Sequence, residues 1–323
     1  MNSEFAGKNG RYGFINRNGI TVIPPQFEAV GDFTEGLAMV MIKEKYGFVD
    51  KAGNLVIPAI YDEVGFFSEG LVNVRIGTDH KAKWGFIDKN GVKVINHQFD
   101  KAGRFENGIA PVEIGQRWGY IDKSGQYVIN PQFELAEKFV DGLAKVKLNK
   151  YWGYINSEGQ VIVKPNYDKC WNFSGGLAPV QIDKKWGFVD MSGKVVINFK
   201  YDWAWGFAEG LASVQLDGKH GYINSKGETV IYPQFDDAGD FSGGLAQVYI
   251  GKWRTGKCGY IDKQGKLVIN PQYYLASQFA EGLALVRLDY KWMFINSEGV
   301  VQFEVNNDVV WNFSDGMAKI MNY

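Results

Sequence analysis

The chain is short of the residues that carry most chemistry. Only two cysteines, Cys170 and Cys258, and three histidines, His80, His97 and His220, occur among 323 residues. Two thiols make no disulfide framework, and histidines at unrelated places make no metal-spaced cluster, so neither a metal nor another cofactor is expected. A phosphate-cradling glycine loop followed by Lys-Ser/Thr is lacking, and so is a nucleophile elbow. Long apolar runs are lacking too. No stretch approaches the roughly 18 consecutive apolar residues of a membrane span, although 46% of the residues are apolar, which excludes a disordered chain. Charge of one sign is never massed: 35 basic and 36 acidic residues leave a net −1 without a block of either. Nucleic acid, which needs a basic footprint, is therefore not expected as a partner. Met1–Phe5 shows no basic region leading into an apolar stretch, so the default expectation is a cytoplasmic protein, with export left open for a fragment.

What the chain does have is one pattern written nine times. Its register is marked by Tyr12, Tyr46, Trp84, Trp118, Trp152, Trp186, His220, Cys258 and Trp292, spaced 34 residues apart except for two steps of 38. A fixed period of this size means units that bury their apolar faces against their neighbours. No linker or low-complexity stretch interrupts it, which predicts a short extension over 1–11 and one repeat domain over 12–323.

Within a unit, β-branched and aromatic residues in period-2 alternation mark strands, and no helical period of useful length is found. Strand a runs Trp-Gly-Phe/Tyr-Ile/Val and ends at an Asx present in all nine copies, followed three residues later by Gly, as in Asp88 and Gly91. That spacing predicts a tight hairpin into strand b, around Lys93 to Ile95. Strand c follows a second invariant Gly, as in Gly36 before Leu37 to Ile42, and turns into strand a of the next unit. The expected sheet is thus c-a-b, with the Gly of strand a admitting an aromatic from the next unit. A Phe before each strand c, such as Phe33 and Phe67, pins the connecting segment into the core.

An acid recurs after strand b at Glu28, Asp62, Asp100, Glu134, Asp168, Asp202, Asp236 and Asp308, with Tyr274 as the exception. A feature shared by so many units is expected to bond backbone N–H groups at a turn; calcium binding and carboxylate catalysis are the weaker readings.

Lys83-Trp84-Gly85-Phe86-Ile87-Asp88-Lys89-Asn90-Gly91, Pro233-Gln234-Phe235-Asp236 and Phe241-Ser242-Gly243-Gly244-Leu245-Ala246 together resemble the bacterial WG-repeat, or KWG-repeat, family over about 310 residues. The resemblance implies a β-rich repeat module with a binding or scaffolding role and no catalytic residues. The expected fold is all-β: nine three-stranded antiparallel units stacked as an open, curved array. The alternative is a closed, propeller-like ring, since the chain begins with strands a and b and ends on a lone strand c that would complete them.

Function is sought in what differs between copies. One column of the connecting segment reads Gly31, Gly65, Gly103, Glu137, Trp171, Trp205, Gly239, Ser277 and Trp311, with Trp203 two residues before Trp205. Trp171, Trp203, Trp205 and Trp311 are candidates for an aromatic strip, unless they only fill gaps. The two long steps insert residues in c–a turns, and the second carries Lys252, Trp253 and Arg254, candidates for docking an acidic partner. The reading is a non-enzymatic binding or scaffold module for a protein or peptide. A glycan-binding module is the alternative, and a carboxylate hydrolase the third possibility.

Overall fold

The computed structural model describes residues 10–252 and 255–323. Every regular element in them is a strand, and the strands form nine four-stranded antiparallel sheets. Strands c, a and b are where the pattern puts them: Leu37–Ile42, Lys45–Asp50 and Leu55–Tyr61 form successive hairpins. A fourth strand, d, corrects the expected three-stranded unit. It is the connecting segment itself, only Ala29–Val30 in this sheet, paired with strand c through Ala29↔Met41 and Val30↔Val40. Each sheet is therefore ordered d-c-a-b.

The open array is corrected as well. The final strand, Met317–Asn322, pairs along its whole length with Arg11–Asn16, so one sheet is built from both chain ends. With no sheet left incomplete, this is the topology of a nine-bladed β-propeller, and we number the blades from this shared one. The chain divides into two compact units, 1–132 with 303–323 and 133–302, holding blades 1–4 and 5–9 respectively.

Successive blades within each unit are tied at both ends of their strands. At the d–c turn, Glu35 and Gly36 both have positive φ, 53° and 85°, as a two-residue type I′ hairpin requires. A non-glycine residue persists there because its carboxylate works: Glu35 accepts the Gly70 N–H and pairs with Lys89, and Glu69 does the same with Gly108 and Lys123. At the other end stand the recurrent acids. Asp62, Asp202 and Asp236 accept the N–H of Gly77, Asp217 and Gly251 in the next blade's c–a turn. Each also takes an ammonium from the residue before the aromatic of strand a, Lys45, Lys185 or Lys219 at 2.5–2.6 Å. The lysine hydrogen bond is the largest cause holding these three carboxyls below the usual range. Turn support was the expected role; the turn served is that of the following blade.

The glycine of strand a has a different reason from the one expected. A Cβ on Gly119 would lie 2.5 Å from the Ile129 carbonyl oxygen and 2.7 Å from the Pro131 nitrogen, so it is strand b of the same sheet that comes too close for a side chain. In blade 9 Met293 replaces this glycine, and strand b shortens to the five residues Val301–Val305 from the usual seven. The pinning phenylalanines do reach the core. Phe14 meets Phe33, and Phe48 meets Phe67, edge to face at 4.8 and 5.0 Å.

Candidate functional site

The column that varies between copies sits where strand d passes over strand c, and in some blades its residue is traded against one on strand c, although proline faces both Gly103 and Trp171. Where the column is Gly, strand c fills the space: a Cβ on Gly65 would meet Asn73 Oδ1 at 2.1 Å, and one on Gly239 would meet Gln247 Nε2 at 2.1 Å. Where it is Trp171 or Trp205, the strand c residue is Pro179 or Ser213. The variable side of strand c is therefore buried against strand d, as the burial of Asn73, Lys145 and Ser213 shows.

In unit 2 four tryptophans come together. Trp171 stacks on Trp186 at 5.8 Å with the rings parallel to within 1°, and on Trp205 at 5.7 Å and 26°. Trp203 closes the group, tilted against Trp186 at 5.4 Å and edge-on to Trp205 at 5.5 Å. Trp186 is fully buried, Trp171 and Trp203 are half-buried, and Trp205 is 38% exposed. The backbone beneath is fixed from the preceding blades: Tyr154 Oη donates to the Trp171 carbonyl at 2.6 Å and Tyr222 Oη to the Gly239 carbonyl at 2.7 Å. Lys145, buried and paired with Glu137 at 2.9 Å, lies 5.7 Å from the ring centres of both Trp152 and Trp171.

Two cavities flank Trp205, and Trp205 and Asp240 line both. The smaller, about 280 Å³, includes Lys145, Trp171 and Ser174. The larger, about 820 Å³, is formed mainly by blade 8, with Trp205 from blade 7 on one side and Tyr274 from blade 9 on the other. Gln247, Lys252 and Cys258 belong to its lining. Two buried acceptors here have no hydrogen-bond partner, Asp240 Oδ1 and Gln247 Oε1. Burial raises the Asp240 carboxyl above the usual range.

Of the residues singled out in the sequence, Trp171, Trp203 and Trp205 come together. Trp311 belongs to unit 1, where it packs 5.8 Å from Tyr12 with Lys319 over its ring at 5.6 Å. Lys252 lines the larger cavity, while Trp253 and Arg254 lie outside the described residues. Sequence reasoning missed Trp186, Asp240 and Gln247. Trp186 is hidden in a column that is aromatic almost throughout, and Asp240 and Gln247 stand in columns without a rule.

One further polar group comes together. Ser213, His220 and Asp237 look like a catalytic trio, but Ser213 is 1% exposed, donates to the Ala238 carbonyl at 3.3 Å and sits 3.5 Å from His220 Nδ1. Asp237 lies 3.9 Å from the other ring nitrogen, and burial holds His220 below its ordinary value. A shielded hydroxyl offers no nucleophile to a substrate. The Cys170 and Cys258 thiols are pushed up by burial to about 12 and about 11, the opposite of activation. Among the described residues no group of three or more His, Cys, Asp or Glu is placed to hold a metal, and no helix is long and apolar enough to cross a membrane.

Comparison with known proteins agrees with this picture at the level of fold. The chain is similar to the crystal structure of the eukaryotic initiation factor, with 11% identity, TM-score 0.62 and 98% of each chain covered. It is also similar to dipeptidyl peptidase 4 of Porphyromonas gingivalis, with 10% identity and TM-score 0.55; the match covers 87% of this chain and 60% of that one. At such identities the likeness is one of fold alone. No curated protein matches the chain. The WG containing repeat matches residues 12–46, 46–77, 84–118, 118–152, 152–186, 186–219, 221–252 and 259–292. With most of its length accounted for by these matches, the chain belongs to the WG-repeat family.

Proposed function

We propose that this protein is a non-enzymatic binding module that docks an extended segment of a protein partner across blades 6 to 8 of unit 2. The observation that carries this reading is Trp205. A large ring left 38% exposed on a rigid stack of three other tryptophans, with a cavity on either side, has the character of an interface anchor. The stack is pre-organised, so little side-chain entropy is lost on binding. The non-enzymatic part rests on the shielded Ser213 and the raised thiols described above. Lys252 is placed to contribute at the rim.

A displayed peptide library selected on the full chain tests the reading. Selected peptides are expected to lose at least about tenfold in affinity when Trp171 and Trp205 are both changed to Ala, the scale of an aromatic anchor. If no selected peptide depends on these rings, the reading fails. A glycan-array signal lost in Trp205→Ala would instead assign the platform to sugars.

A further inference from the structure

The tryptophans of this fold are habitually covered by a cation from their own chain. Arg75 stands over Trp84 at 6.0 Å, Lys101 over Trp118 at 5.9 Å, Lys147 over Trp152 at 5.8 Å and Arg287 over Trp292 at 5.2 Å. Three of these are direct cross-strand partners in the c–a hairpin, Arg75↔Trp84, Lys147↔Trp152 and Arg287↔Trp292. Trp171 and Trp311 have Lys145 and Lys319. Among the described residues Trp186, Trp203 and Trp205 have no such cation, and Trp205 is the most exposed of the three. One of its faces stacks on Trp171.

Several carboxylates are likewise paired with a cation, while others, such as Asp50, Asp122 and Asp190, are met by the N–H groups of their own turns. Asp62, Asp202, Asp236, Glu35 and Glu69 each have a lysine. Among the described residues Asp240 has none, and its buried Oδ1 accepts no hydrogen bond from them. The side chain of Gln247 folds over Gly239, beside Asp240, and its Oε1 is also unmet. The cavity of about 820 Å³ thus contains an uncovered indole and two unmet acceptors. A buried acceptor without a donor costs free energy that a ligand able to donate recovers. The group that satisfies all three is planar, positively charged and donor-only.

Resting on the docking reading above, we propose that this cavity takes a guanidinium: an arginine side chain of the partner's peptide, stacked on Trp205 and donating to Asp240 and Gln247. Arginine has five N–H donors in a fixed fork and no acceptor, and its plane lies flat on aromatic faces. A sugar hydroxyl also brings an acceptor for which neither buried orphan is a mate.

The charged surroundings of Asp240 set the pH behaviour. Asp236 and Asp237 face the cavity from its own blade, Tyr249 and Cys258 from strands c and a, Lys252 from the turn between them, Tyr274 from blade 9, and Lys145 from the smaller cavity. Tyr222 is close enough for Asp240 to help raise its phenol, and His220 lies beside Asp237. Asp236 is already engaged by Lys219, and Lys145 by Glu137. Asp240, half-buried, has no cation among the described residues. With its carboxyl raised by burial, binding weakens as pH falls through its titration.

The probes are N-acetyl-arginine amide and its neutral isostere N-acetyl-citrulline amide, titrated into the full chain and followed by the Trp205 indole NMR signal, assigned with Trp205→Phe. The arginine probe is expected to bind at least about tenfold more tightly than citrulline, and Asp240→Asn to remove about that factor, the scale of a charged hydrogen bond. The preference should shrink from about pH 7 to about pH 4, and less so in Asp240→Asn. Asp240→Asn should leave the melting temperature equal or higher near neutral pH, because it removes a desolvated charge; a merely structural Asp240 would lower it. Equal binding of the two probes, no binding of either, or no effect of Asp240→Asn overturns the proposal. Library peptides that need Trp205 but carry no arginine overturn the guanidinium and keep the docking reading, and absence of any Trp205-dependent peptide overturns both.

Discussion

Blades 3 and 7 have the same strand order and opposite contents. In blade 3, Gly65 yields its space to Asn73, whose Nδ2 donates to the Ala102 carbonyl of the next blade at 2.8 Å. In blade 7 the bulk comes from strand d, as Trp205, and the strand c residue shrinks to Ser213, whose hydroxyl donates to the equivalent carbonyl, Ala238, at 3.3 Å. The polar contact between neighbouring blades is kept while the volume moves from one strand to the other. The aromatic surface comes with a longer strand d, Trp203–Ala208 against Glu63–Val64, so the exchange of side chains is accompanied by a change in the edge strand.

The largest expected effect comes from breaking the aromatic side of the comparison. Trp186→Ala removes a fully buried ring that touches both Trp171 and Trp203, and should cost about 3–5 kcal/mol in urea unfolding. Next comes a transplant. Gly65→Trp alone drives its Cβ into Asn73 and should cost about 1–3 kcal/mol. Adding Asn73→Ser should return most of that loss in the same measurement, and failure of the rescue would show that the exchange needs more than these two residues. The smallest effect belongs to the ties between blades. These groups are largely solvated, so Lys219→Met should cost under about 1 kcal/mol. Their pH dependence is still distinct. Asp62, Asp202 and Asp236 have folded values below the unfolded value of 3.8, so their stabilisation is complete above it and is lost as acid takes the pH lower. Asp240 has the opposite sign, its shift weakening the fold as pH rises.

Much of the frame was legible in the sequence because turns impose local chemistry. Asp88 fixes its turn by accepting the Asn90 and Val92 N–H groups at 2.9 and 2.8 Å, a contact within a few residues that any reading of Asx and Gly recovers. Strand d was not legible. In six sheets it has only two residues, as in Ala29–Val30, too short to show alternation; where it has six, as in Trp203–Ala208, a register shift interrupts the pattern, and its pairing depends on strand c several residues ahead. The reason for the strand a glycine was hidden too, since strand b's approach over Gly119 is a property of sheet curvature rather than of composition. At the site, the rings announced themselves by size. The unmet state of Asp240 and Gln247 did not, because a missing partner has no sequence signature.

The shared blade has a mechanical corollary. Arg11 lies directly across from Asn322, so the first and last strands present their outer ends side by side. A force drawn through those two ends would part the Arg11–Asn16 and Met317–Asn322 pair like a zip, one hydrogen bond at a time, instead of shearing all of its bonds together. Resistance to tension at that seam is thus set by single bonds, however well the rest of the molecule is packed.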